Sequence, residues 1–215
     1  VVSGNNSVDV AGINNLVSGN SAVDVAGNFN LVSGNNAVQV LQINAATSNI
    51  TLSGLTIANG RITNSPGAGL VNFSNGTVTL NALAFTNNQT ISGGDGGAIS
   101  HDATGTLNVI GSTFSGNVSP GLGGAIVVLD AGALNLTDCT FNGNTALNGG
   151  AIYNNLGTTL TLLNCTLSGN TATGSAGGFA GIKTEGNAGS TLSPLLCGLP
   201  RSRTNVFFAR LPSSV

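Results

Sequence analysis

The ionisable chemistry of this 215-residue chain is sparse: five Lys and Arg, seven Asp and Glu, and one His. His101 and Asp102 stand side by side, Asp95 precedes them, and Asp130 is the next acidic residue downstream. Cleavage of a sugar polymer needs such a cluster, either paired carboxylates acting as general acid and base or an acidic calcium site with a basic residue beside it. Neither Lys nor Arg occurs between Arg61 and Lys183. The group therefore reads as a solvated or capping pair at a turn. The segment GGDGG at 93–97 has the look of a calcium-binding nonapeptide, but those repeats renew the acidic residue every nine positions and this one does not. Cys139 and Cys165 offer no C-x-x-C pattern, and a single His cannot complete a zinc site with them. No cofactor or metal is expected.

What positions these residues is a repeat. Taking the last residue of each Gly-Gly-Ala-Ile-like element as position zero gives Leu70, Ile99, Ile126 and Ile152. Phe85, Phe114, Phe141 and Leu167 stand fifteen residues further on without drift, and three residues beyond them come Asn88, Asn117, Asn144 and Asn170. Positions eight and ten hold Val78 and Leu80, Leu107 and Val109, Leu134 and Leu136, Leu160 and Leu162. Alternation of this kind places both members of each pair on one face of a strand. Position thirteen, with Leu83, Ser112, Cys139 and Cys165, shares its parity with the Phe and not with the pair. All can face one core only if the chain bends near Asn81, Gly111, Asp138 and Asn164, which are residue types that tolerate a bend.

Each unit of about 27 residues thus predicts a strand at Gly-Gly-Ala-Ile, a second at Leu-x-Leu, a corner, and a third ending at Phe. One such coil cannot bury its apolar face alone, whereas coils stacked about 4.8 Å apart pair each strand with its equivalent and continue the core. The expected fold is all-β: a right-handed parallel β-helix, or β-solenoid. The Asn row reads as a ladder of stacked amides closing a turn. The Cys139 and Cys165 pair reads as a buried ladder of free thiols in preference to a disulfide. Length varies only in the return from Phe to the next position zero, 14, 12 and 11 residues after Phe85, Phe114 and Phe141, which marks the return as an exposed loop.

Composition agrees. Charged residues make up 6% of the chain against about 25% in ordinary domains, and the net charge of −2 excludes the cationic patch that nucleic-acid binding requires. Thirty-three Gly residues break every candidate helix, and no apolar run is long enough for a membrane helix. The absence of Met, even at position 1, suggests a fragment or processed product. Asn-x-Ser/Thr, as at Asn72 and Asn135, arises by chance in a chain this rich in Asn, Ser and Thr.

The GGAI and FxxN motifs in fixed phase resemble the repeat of chlamydial polymorphic outer membrane proteins. LNLTDCTFNGNTA and TLSGLTIANG resemble the related β-helix repeats of large bacterial surface and secreted proteins. The resemblance covers about residues 36 to 182. It implies a non-catalytic cell-surface or secreted scaffold, outer-membrane-associated or released, with an adhesin-like role toward glycans or host and neighbour cell-surface components. It supplies no invariant chemical residue. A carbohydrate-active β-helix enzyme is the alternative. A third reading, an ice-binding solenoid, rests on outward Thr77, Thr79, Thr106, Thr159 and Thr161, in rows that Asn108, Ala133 and Asn135 interrupt.

Three segments are expected. Residues 1–45 repeat every 15 residues and form either narrow coils or halves of 30-residue coils at the N-terminus of the helix. Residues 46–182 are the β-helix proper. Residues 183–215, with Arg201, Arg203 and Arg210, form either a cap that brings Leu195, Leu196, Phe207 and Phe208 over the open end or a disordered tail.

Overall fold

The computed structural model describes residues 31–44, 47, 49–155, 157–174 and 179–185 in full, and residues 2–3, 15–18, 23–30, 190–197 and 207–208 as strand backbone. All described regular structure is β, and the strands are joined in parallel into stacked coils. In the first sheet Leu41, Leu70, Ile99, Ile126, Ile152 and Ile182 pair in register, so position zero forms one continuous row. The second sheet carries both the Leu-x-Leu and the Phe strands. Leu107 lies between Val78 and Leu134, and Phe114 between Phe85 and Phe141. The chain is a parallel β-solenoid whose Asn row advances by 29, 27 and 26 residues per coil.

The core is the space these rows enclose. Positions zero, eight, ten, thirteen and fifteen are all buried, and the three Phe rings are wholly so. Phe85, Phe114 and Phe141 stack nearly parallel, with ring centroids 5.0 and 4.6 Å apart, so each ring covers its neighbour at the strand spacing. The corner that lets position thirteen share this core is a single residue in the left-handed region: Ala82, Gly111, Asp138 and Asn164, with φ of 54, 55, 55 and 52°. In the first of these coils the bend therefore falls on Ala82 and not on the expected Asn81. Neighbouring coils impose the bend, and Asn81 stays in the strand paired with Ile110.

The return differs from a simple loop. Its first residues form a narrow third sheet, in which Arg61, Gln89, Val118, Thr145 and Thr171 pair in turn. Variation in length is confined to the few residues after that row, because the Asn ladder holds the backbone up to it. The return ends in Gly-Gly. The first glycine of each pair, as at Gly96 and Gly123, has φ of 63 and 61°, and a Cβ there would collide with the carbonyl of the residue three positions on. At Gly124 a Cβ would meet the carbonyl of Gly150 in the adjacent coil. The motif is thus a requirement of coil stacking.

At the ends, parallel pairing extends beyond residues 46–182. Asn15–Ser18 lies beside Leu41–Ile43, Val23–Ser33 beside Ile50–Ala58, and Val2 beside Val17. Ser190–Cys197 pairs with Thr159–Ser168, and Phe207 with Lys183. The packing of the side chains expected to cap the open end, and most of the 15-residue repeats, lie outside the described residues.

Candidate functional site

The first-sheet strand Ile99–His101 points Ile99 and His101 into the solenoid and Ser100 away from it, by strand alternation. His101 is therefore fully buried, which corrects its reading as a solvated residue at a turn. Its Nδ1 lies 3.0 Å from Asn72 Nδ2 and its Nε2 lies 3.2 Å from the Gly105 carbonyl. Asn72 Oδ1 accepts the Ser74 N–H, so the amide orientation is set and Nδ2 is the group donated to the ring. The imidazole is thereby held neutral, with its proton on Nε2. Burial lowers its pKa, opposed by the backbone groups of Gly105 and Asn72 and by Asp130.

Asp102 belongs to the opposite face. It accepts a 2.5 Å hydrogen bond from Ser100 Oγ, and burial raises its pKa while that bond lowers it. Asp95 lies on the return, where its carboxylate accepts the Leu122 N–H at 2.6 Å and so ties one return to the next. Its pKa too is raised by burial. Asp130 is exposed. The strand thus separates His101 from Asp102, and a shared substrate atom could not meet both. Among the described residues no group of three or more His, Cys, Asp or Glu could hold a metal ion, and no helix is long and apolar enough to cross a membrane.

His101 predicts an acid sensitivity. The unfolded chain binds its proton near pH 6.5 and the folded chain only at lower pH, so stability is lost as pH falls below about 6.5, at up to about 1.4 kcal/mol per unit. Asp95 and Asp102, with raised pKa values, act in the opposite direction at lower pH, nearer the carboxylate range. Melting temperatures measured from pH 7 to 5 are expected to fall in the parent protein and to stay flatter in His101→Asn. Parallel curves would show that His101 does not carry the effect.

The row that holds His101 contains residues the repeat did not single out: Asn72, Val128, Asn154 and Thr184, all buried. Their position two residues after position zero was the signal that could have found them. Both polar atoms of the Asn154 side chain are buried without a hydrogen-bond partner. Since Val128 fills the same row one coil earlier, Asn154→Val is expected to stabilise the protein by about 1–3 kcal/mol. Chemical denaturation measures it, and a loss of stability would show that the amide is bonded in solution. Burial of Asn72 also makes it inaccessible to glycosylation.

The Asn ladder is complete. Asn117 donates from Nδ2 to the Phe85 carbonyl at 3.0 Å and to Asn144 Oδ1 at 2.9 Å, while its own Oδ1 accepts the Asn88 backbone N–H and Nδ2 at 3.0 Å. Asn170 receives Asn144 in the same way. Gly60 begins the row by donating its N–H to Asn88 Oδ1. Cys139 and Cys165 are free and buried. Each thiol faces backbone carbonyls, those of Val109 and Thr137 for Cys139 and those of Leu136 and Leu163 for Cys165. A separate cluster was not anticipated: Tyr153 donates to Glu185 at 2.8 Å, and Lys183 pairs with the same carboxylate at 2.9 Å.

Residues 82–102, 111–128 and 138–155 match the Chlamydia polymorphic membrane protein repeat. Three segments of this β-solenoid are similar to that repeat. The matched segments begin at the left-handed corner residues Ala82, Gly111 and Asp138, and run through Phe, the ladder Asn and the return to the end of the next first-sheet strand. The polymorphic membrane protein repeat is thus the return edge with the two strands that anchor it. It is a repeat of surface and outer-membrane proteins. No curated protein and no solved structure matches the chain.

Proposed function

We propose that this chain is a non-catalytic, adhesin-like segment of a bacterial cell-surface or secreted protein, and that its partners, glycans or other cell-surface components, lie along the return edge. The supporting observation is that the family repeat coincides with that edge, where length varies on a backbone held in register by the Asn ladder. The edge presents carboxamides, small hydroxyls and backbone groups with little charge, so each contact is weak and strength comes from repetition along the axis.

The test uses the 215-residue chain and tandem versions of two and four copies, applied to immobilised glycans and to cell surfaces. Apparent affinity is expected to rise much faster than copy number and to fall when the segments at 92–95 and 120–122 are replaced by Gly-Ser. Binding independent of both would remove the basis of the proposal. The catalytic alternative is checked on the same glycans by reducing-end release and by unsaturated product. Turnover that disappears in Asp95→Asn or Asp102→Asn would overturn the non-catalytic reading.

A further inference from the structure

A cavity of about 460 Å³ opens on the return edge between two successive coils, between residues 36–39 of one and 61–63 of the next. Its origin is local. Asn35 and Asn36 both adopt left-handed conformations, with φ of 50 and 57°, and Ala37 and Val38 hydrogen-bond back to the Gly34 carbonyl. The return therefore coils on itself here and meets the next coil through the Arg61 N–H on the Val38 carbonyl.

The lining is chemically uneven. Arg61 is exposed and belongs to no ion pair, whereas Lys183, the other cation among the described residues, is paired with Glu185. Gln39 donates from Nε2 to the carbonyls of Pro66 and Gly67, at 3.1 and 2.7 Å, which sets the orientation of its amide and leaves Oε1 as an acceptor. Asn36 and Thr63 add a carboxamide and a hydroxyl, and Ala37 and Ile62 add apolar surface.

We propose that this cavity binds one acidic sugar residue, with the sugar carboxylate on the Arg61 guanidinium. A planar carboxylate matches the guanidinium fork with two charge-assisted hydrogen bonds, whereas a neutral sugar offers it only uncharged hydroxyls. The ring hydroxyls meet Gln39, Asn36 and Thr63, and the apolar face of the ring lies on Ala37 and Ile62. The volume lies in the range of small-ligand pockets. A single cation suits a monoanion better than a phosphate carrying nearly two charges. The proposal rests on the reading of the return edge as the contact edge and gives it a ligand class. With one exposed ion pair per site, affinity for a monosaccharide should be in the millimolar range.

The experiment is a nuclear magnetic resonance titration of the full chain with methyl glucuronoside, methyl glucoside and acetate. The expected result is saturable shifts at Arg61, Gln39 and Thr63, with methyl glucuronoside binding at least about fivefold more tightly than either control. Arg61→Gln, which keeps the polar bulk at an exposed position, is expected to lose that preference with an unchanged thermal transition. Equality with methyl glucoside, equality with acetate, or a preference surviving in Arg61→Gln would each overturn the proposal. Tandem chains carrying Arg61→Gln separate the two readings. If they keep copy-number-dependent binding while no chain prefers the glucuronoside, the cavity proposal fails and the edge reading stands. If the preference is present but binding ignores copy number, the reverse holds.

Discussion

Phe114→Asp is expected to abolish folding of the central coils, at a cost above about 5 kcal/mol. The ring lies fully buried between Phe85 and Phe141, with centroids 5.0 and 4.6 Å away, and carboxylate oxygens placed there would find no donor. Removal of the ring also leaves a cavity between two coils that cannot close without breaking their backbone pairing. Phe114→Leu is the control, since Leu167 occupies the same row beside Phe141, and it should cost about 1–2 kcal/mol. Thermal unfolding followed by circular dichroism distinguishes the two. Coils interact with their nearest neighbours, so hydrogen exchange should show lost protection greatest in the strands next to position 114. An unchanged transition in Phe114→Asp would refute the inward placement of this row.

Asn117→Leu is expected to cost about 3–6 kcal/mol, although it replaces a polar side chain with an apolar one in a buried site. Its amide serves two coils. Without it the Asn88 N–H and one Asn88 side-chain hydrogen have no partner, and the Phe85 carbonyl and Asn144 Oδ1 each lose one of their donors. Asn117→Asp is the sharper test because it is nearly isosteric. A carboxylate would set oxygen against the Phe85 carbonyl and against Asn144 Oδ1, so a loss comparable to that of Leu is expected at neutral pH. Its stability should partly recover on acidification as the carboxyl is protonated. A mild effect in both variants would mean that the coils are held by their strands alone and that the ladder adds little. The contrast with Asn154 is instructive. There an amide is buried without partners, and the same kind of substitution is expected to stabilise.

Much of this architecture was legible without coordinates because a solenoid turns a sequence period into a spatial row. Once Phe85, Phe114 and Phe141 were in phase, their contact required only that coils stack. The Asn row followed from the same period. The position of the bend was nearly legible, but Ala82 took it in place of Asn81, because a row of four coils outweighs the preference of one residue. The resemblance of the GGAI and FxxN motifs to the polymorphic membrane protein repeat was likewise available early, since those residues are the ones stacking constrains.

Tertiary structure decided what depends on two surfaces at once. His101 looked like a polar residue beside Asp102 at a turn; strand parity gives only its inward direction, and its full burial depends on the opposite walls of the coil. Asp95 and Asp102 were grouped by their nearness in sequence, yet one braces a return and the other bonds to Ser100. The third sheet along the return was hidden because pairing that starts at an Asn ladder leaves no apolar alternation to read. Arg61 and Gln39 come together across coils from an irregular repeat with no common phase. The sequence by itself determined the period, the inward rows and the residues that must be small, since these are local demands repeated in every coil. Only the stacked molecule decided which polar groups are shielded, which are partnered and where a cavity opens, because each of those outcomes depends on neighbours about 27 residues away.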